Sequence, residues 1–437
     1  MQTVLEQKIQ AIRPSRGRFS HWLNGLTAVL LFSYPSLLVL QKDVHMAFLV
    51  FLGGLGLFCA GTGWRVISNE TKTVIFFVAL FLGVSGLSLL NVEDWRHCLW
   101  LLSRYEPFVL LPFLIFLFST RKNVMQSFFY GMILSGFVCF GIAAYEVWSL
   151  SLERAEGAFK NANRFGSVAV CFASFLVAAW FFLPMKRYLM LSAGFSAFFC
   201  LWAGLLSGSR GAVFVFPILM LFLWYVLFFM RKLKNEGIAE RLPGIRAYRW
   251  SLVIFLLAFT VGFTGYNGFL RQHAKKAVTE VEEYLHGKRD NEASIGQRLM
   301  MWGYAVQIWK RHPWIGTGIG DVEKDMTELN QAAGSPMTHI YYDVHNIYLN
   351  VLASTGIVGL TGMVLACFVA PFRAFRRSFL NAASHENARY AAVCGVMTLI
   401  FFAMNGISEG WIYTRGVTFF VLLLAVFLSG VQNRNED

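Results

Sequence analysis

Hydrophobic residues run through this chain in long blocks separated by short polar turns. Twelve blocks, near residues 20–40, 46–62, 74–91, 100–118, 127–149, 165–184, 189–206, 212–230, 250–267, 346–370, 389–405 and 416–430, are apolar over roughly 17 to 25 residues, the length an α-helix needs to cross a bilayer. Between 268 and 345 the pattern changes. "RQHAKKAVTEVEEYLHG" and "SIGQRLMMWGYAVQIWKRH" alternate polar and apolar faces at helical spacing, which predicts two helices lying over the membrane face. In the second, Ile295, Leu299, Trp302, Val306 and Trp309 form the predicted apolar face. "HPWIGTGIGD" then breaks the pattern with Pro313 and three glycines, and 321–332 is expected to form another short helix. The fold class is therefore an all-α integral membrane protein of about 12 transmembrane helices, with a helical segment, 268–345, between spans 9 and 10. No Pro/Ser-rich linker divides the spans, so 1–437 is expected to be a single polytopic membrane domain.

Composition supports the membrane. Of 437 residues 56% are hydrophobic and 14% charged, which excludes a soluble globular protein of this size. The first 18 residues carry Lys8, Arg13, Arg16 and Arg18, and the apolar run after them lacks a small-residue cleavage site, so an uncleaved first span is expected. With the N-terminus inside, 21 of the 38 Lys and Arg fall on the inner side, 8 in short outer connections and 9 in 268–345. That bias puts both termini in the cytoplasm. The net charge of +13 gathers in inner loops such as "RKLKNEGIAERLPGIRAYR" and "RAFRRSF", where it sets orientation and meets anionic membrane lipid; nucleic acid is not an expected partner. The seven cysteines are scattered in or beside apolar runs without paired spacing, as packing residues are.

Two acidic or glycine-rich motifs carry little chemistry. "GTGIGD" has no Lys-Ser/Thr after its glycines and no preceding strand, so it is not a nucleotide loop. Asp321, Glu323 and Asp325 match no calcium loop and suit a solvated helix N-terminus better than a metal site.

The residues that can carry chemistry share one predicted face: Arg154, Lys160, Asn163 and Arg164 in "ERAEGAFKNANRFG", Arg210 in "SGSRG", Arg298, and His345-Asn346. A charge at the rim of the hydrocarbon needs a partner or a wet cavity. Arg210 is either a snorkelling interfacial arginine or an anion site whose small neighbours admit a bulky group. Arg298 either faces solvent or aims beneath its helix. His345 is either a general base for a hydroxyl or a histidine bonded near the start of the tenth span, with His339 and Asp343 as rivals for the base. Asn346 either holds a sugar hydroxyl or the ring, or caps the helix.

Together, "GAFKNANRFG" before the sixth span, "SGSRGA" opening the eighth, and "GQRLMMWGYAV", "HPWIGTGIG" and "HNIYLNVLASTGIVGL" in order resemble the O-antigen ligase and O-antigen polymerase superfamily of bacterial envelopes. The resemblance implies a GT-C-type membrane glycosyltransferase in the bacterial inner membrane, with a periplasmic active site in which 268–345 is the periplasmic segment. It implies a ligase that moves polysaccharide from undecaprenyl pyrophosphate onto lipid A-core oligosaccharide, without metal, nucleotide or other cofactor. The family's two arginines fall on Arg210 and Arg298 and its histidine on His345; Arg154 and Asn163 match more loosely as substrate-binding residues, and His339 stays a neighbour of the histidine. An O-antigen polymerase and a protein O-oligosaccharyltransferase share the donor. A lipid-linked glycan transporter would show repeats and mid-membrane charges, which the chain lacks.

Overall fold

The computed structural model describes residues 2–41, 44–235, 279, 282, 294–334, 337, 340–381, 386–413 and 416–432, and the side chains of these apart from 2–19, 210, 232–235, 294–295 and 413. Every regular element among them is helical. In chain order they are α1 (Gln2–Leu40), α2 (Val44–Leu57), α3 (Ala60–Val66), α4 (Asn69–Leu87), α5 (Trp95–Leu102), α6 (Glu106–Ser119), α7 (Val124–Ala144), α8 (Ala162–Phe182), α9 (Arg187–Leu206) and α10 (Arg210–Asn235). After these come α11 (Ser294–Arg311), α12 (Val322–Ala332), α13 (Ile347–Val364), α14 (Ala370–Asn381), α15 (Glu386–Asn405) and α16 (Gly416–Gly430).

Among the described residues nine helices are long and apolar enough to cross a membrane, α2 and α3 together make a tenth if the pair, bent by 83°, is one span, and α16 is a shorter apolar helix. Every predicted window thus has its helix except 250–267, which lies outside the described residues, as does the first of the two amphipathic helices predicted in 268–345. One expectation is corrected. "RAFRRSF" is no loop: α13, broken at Gly356, runs on through a π turn into α14, so that helix extends to Asn381, and Arg377 pairs with Glu70 at 2.7 Å.

The connections fall into two sets that do not mix, as helices crossing in alternation require. At one end Asn91 Nδ2 donates to the Gly316 carbonyl (2.8 Å), Arg154 Nε to that of Ser207 (2.8 Å) and the Ile347 N–H to that of Gly406 (2.8 Å). At the other, Arg121 Nη1 reaches Asn24 Oδ1 (3.4 Å), and Gln432 accepts from the Ser68 N–H (2.6 Å) while donating to Thr71 (2.9 Å).

The centre of the bundle is α8, α15 and α16: the apolar windows of α8 and α15 are 83% and 78% buried against 28% for α4, and α16 is buried along almost its whole length. Alanine, glycine and serine in "NRFGSVAVCFASF" let neighbouring backbones approach α8 closely. All seven cysteines are buried and free.

A second, smaller core lies over the first end. Met300, Met301, Tyr304, Ala305 and Ile308 of α11 close on Val322, Met326 and Leu329 of α12, with Val344 and Ala353 completing it. This corrects the predicted face of α11, which is rotated: Leu299, Trp302, Val306 and Trp309 are only half-buried, because two neighbours compete for the helix, α12 and the start of α13. The glycine loop 313–320 fastens this layer to α13. The Thr317 and Gly318 N–H groups donate to the Ala353 and Ser354 carbonyls, and the Ile357 and Val358 N–H groups to those of Pro313 and Trp314.

Asp321 is buried, and its two carboxylate oxygens accept the Glu93 and Asp94 N–H groups at 2.8 and 2.9 Å. It ties the layer to the turn before α5 and is not a solvated helix end. Asp321→Ala leaves those two N–H groups without their partner, at a cost of about 1–3 kcal/mol. Limited proteolysis is expected to cut between 294 and 334 faster in this variant; an unchanged cleavage rate would refute the anchoring role.

Candidate active site

The predicted polar residues come together at the end of the bundle that carries the second core. The 153–157 turn is pinned by the Ala155 N–H on the Leu206 carbonyl (3.0 Å) and by Glu146 Oε2, which accepts from the Glu156 and Gly157 N–H groups. Arg154 is thereby held with Nε on the Ser207 carbonyl and Nη2 on Asn163 Oδ1 (2.9 Å), and Asn163 Nδ2 donates in turn to Glu409 Oε1 (3.3 Å). Arg154 and Asn163 therefore bind each other and the turn that opens α10.

Arg210 is the first residue of α10, and its side chain lies outside the described residues. The small residues before it have a packing role. A Cβ on Gly166 would fall 2.1 Å from Ser207 Oγ and 2.8 Å from Ser209 Cβ, so the Ser-Gly-Ser turn sits directly on α8. The start of α10 also faces the connection after α15, with Gly211 near Asn405 and Ser408.

An open pocket of about 590 Å³, including its mouth, lies between α8, α15 and α16. Its polar lining is Asn163, Arg164, Ser167, Asn405 and Glu409, and the rest is mainly apolar and aromatic. Arg164 enters it from the first turn of α8, whose N-cap Asn161 accepts the Arg164 N–H. The buried Nε of Arg164 has no hydrogen-bond partner among the described residues, and neither has Nε of Arg104, whose guanidinium stacks 4.8 Å over Trp100. Trp100 meets Tyr342 edge-on at 5.3 Å. Burial, and then the Asp343 charge, push the Tyr342 phenol up, while Arg164 and Arg104 pull it the other way. Arg164 thus gives the pocket lining a guanidinium whose Nε is unspent, together with the Glu409 carboxylate.

His345 stands on the turn between Tyr342 and α13. Its φ is +50°, and its N–H and Nδ1 both lie on Asp343 Oδ1, at 2.8 and 3.1 Å. The ring lies 5.1 Å from that of Tyr341. The turn is held from three sides: the Trp302 indole donates to the Val344 carbonyl (3.0 Å), the Asn350 side chain accepts the Val344 N–H (3.1 Å), and the Ile347 N–H reaches Gly406. Arg298, half-buried, lies one helical turn before Trp302 and makes no hydrogen bond among the described residues. Asn346 is the N-cap of α13, its Oδ1 accepting from the Tyr348 and Leu349 N–H groups, so its side chain is occupied by the helix. His339 lies outside the described residues.

Residues 195–364 match a family model described as O-antigen ligase. The match places that segment in the O-antigen ligase superfamily. It runs from within α9 to the end of α13, so the ligase-family segment contains Arg210, Arg298 and His345, whereas Arg104, Arg154, Asn163, Arg164 and Glu409 approach it from outside. The superfamily implies a glycosyltransferase-like membrane enzyme. Among curated proteins none matches the chain. Glu409, Arg104 and Tyr342 escaped the sequence reading; the acid flanked by small residues in "GISEGW" was the one available signal, and a count of Lys and Arg alone passes over it.

Proposed function

We propose that this protein is an O-antigen ligase of the bacterial inner membrane, with its active site on the periplasmic side and both termini in the cytoplasm. In this reading the chain is a single polytopic domain of GT-C type, and 268–345 covers its outer face. The observation that supports it is the meeting of the His345 turn, Arg104 of the α5–α6 connection and Arg164 of the first turn of α8 at one end of the bundle, with Arg210 and Arg298 within the matched segment.

The donor is undecaprenyl pyrophosphate-linked polysaccharide and the acceptor is lipid A-core oligosaccharide. His345 Nε2 takes the proton from an acceptor hydroxyl as its oxygen attacks the anomeric carbon. The bond from that carbon to the pyrophosphate oxygen breaks with its electron pair, and undecaprenyl pyrophosphate leaves as an anion. Arg210, Arg298 and Arg164 supply countercharge to it in a site shielded from water, where such stabilisation is often the largest catalytic contribution. Arg154 and Asn163 hold the turn from which Arg210 projects.

Reconstitution of the purified protein with both lipids in EDTA is expected to shift the lipid A-core band on a gel. Arg164→Lys is expected to weaken the shift, because one ammonium cannot replace a planar fork of donors. Lengthening of the lipid-linked glycan without a shifted band would make the protein a polymerase, and transfer to a protein hydroxyl an oligosaccharyltransferase.

A further inference from the structure

The carboxylate of Asp343 and the imidazole of His345 are two candidate proton acceptors in one turn, and their surroundings give them different tasks. Asp343 is 3% exposed and His345 28%. Oδ1 of Asp343 accepts the His345 backbone N–H at 2.8 Å and lies 3.1 Å from the ring Nδ1. Oδ2 is enclosed by the connection between α15 and α16: a Cβ on Gly410 would lie 3.0 Å from it and 3.1 Å from Cγ. Asp343 is therefore the enclosed member of the pair and His345 the more exposed one.

We propose that Asp343 is the positioning residue of the transfer reaction: one buried carboxylate oxygen fixes both the backbone turn and the ring tautomer of His345, so that Nε2 presents its lone pair to the acceptor. The proposal rests on the ligase reading above for its reaction, but the contact it describes stands on geometry alone. A carboxylate oxygen 3.1 Å from Nδ1 favours the hydrogen on that nitrogen, which leaves Nε2 as the acceptor. The backbone bond holds His345 at a positive φ that a non-glycine residue seldom adopts, in the i to i+2 pattern by which aspartate builds turns. The backbone bond and the ring contact share one oxygen, so rotation of the histidine takes its ring away from the acid. The charged and titratable groups packed around this pair are Arg164 and Arg104 through Tyr342, Tyr341 on the ring face, and Glu409 beside Gly410.

The decisive variant is Asp343→Asn. Its Oδ1 still accepts the His345 N–H and keeps the turn, but its amide competes to donate to Nδ1 and favours the wrong tautomer. Turnover is expected to fall about 100-fold or more, with KM for each lipid within about threefold, since loss of an orienting carboxylate acts on the chemical step. Asp343→Glu, displaced by one methylene, is expected to recover part of it. In full-length protein labelled with ¹⁵N in the histidine rings, the His345 signal, assigned by difference from His345→Ala, is expected to report hydrogen on Nδ1 in the wild type and a loss of that preference in Asp343→Asn.

Wild-type turnover in Asp343→Asn overturns the proposal, and so does a lost turnover with an unchanged tautomer signal. Gly410→Ala, which crowds the same carboxylate from behind, is expected to shift the tautomer signal in the same direction; an unshifted signal counts against the coupling. If the wild type transfers no glycan to lipid A-core, the ligase reading fails, yet the tautomer spectra still decide whether Asp343 holds the ring.

Discussion

His345→Ala is expected to lower transfer of polysaccharide to lipid A-core by about 10²- to 10⁴-fold, the range a positioned general base contributes. The fold should survive the change. The N–H on Asp343 Oδ1 belongs to the backbone, so alanine keeps it, and alanine at φ +50° carries much the same backbone strain as histidine. The turn is also held by Trp302, Asn350 and Gly406, none of which touches the imidazole. The measurement is gel mobility of lipopolysaccharide from cells expressing the variant at wild-type level, with the thermal midpoint of the purified protein as the check on folding. Full capping of lipid A-core by the variant would remove His345 from the reaction.

The second large effect is structural. Gly356 has φ +65° and ψ −168°, a region open to glycine alone, and a Cβ there would lie 2.2 Å from the Trp314 carbonyl oxygen. That oxygen is held in place because it accepts the Val358 N–H, so it cannot move aside without giving up the bond. Gly356→Ala is expected to cost on the order of 3 kcal/mol in backbone strain, with the collision in addition. Release of the 313–320 loop would free α11, and with α11 the Trp302 bond that supports the His345 turn. A thermal melt in detergent should show a midpoint several degrees lower, together with lost transfer. Gly303→Ala is the matched control: a Cβ there meets nothing within 4 Å, in the interior of a helix where alanine is favoured over glycine. Equal midpoints for Gly356→Ala and the wild type would show that the loop does not depend on this break.

The spans were legible in the sequence because burial in lipid demands unbroken apolar runs, a one-dimensional property. Tertiary choices were not. The break at Gly356 sits inside "ASTGIVGL", which hydropathy reads straight through, and only the neighbouring loop makes it necessary. The face of α11 was misjudged because methionines and Tyr304 fill the gap between two partners that periodicity cannot see. At the site, the residue types pointed to His345 and the arginines, and the helix cap at Asn346 followed the preference of asparagine for that position. Arg154 and Asn163 were read as groups facing a substrate, yet they are spent on each other and on Ser207 and Glu409. Pairing of that kind depends on which helices neighbour each other.

The His345 turn leans on Gly406 and Gly410, residues that follow it by some sixty positions and belong to the hairpin of α15 and α16. During synthesis His345 therefore leaves the ribosome well before the surface that shapes its turn. A chain that ends before the last hairpin carries Arg154, Arg164, Arg210 and Arg298 yet lacks Gly406 and Gly410, so its His345 turn is without two of the residues that shape it. The turn is consequently completed only when membrane insertion reaches the final helices.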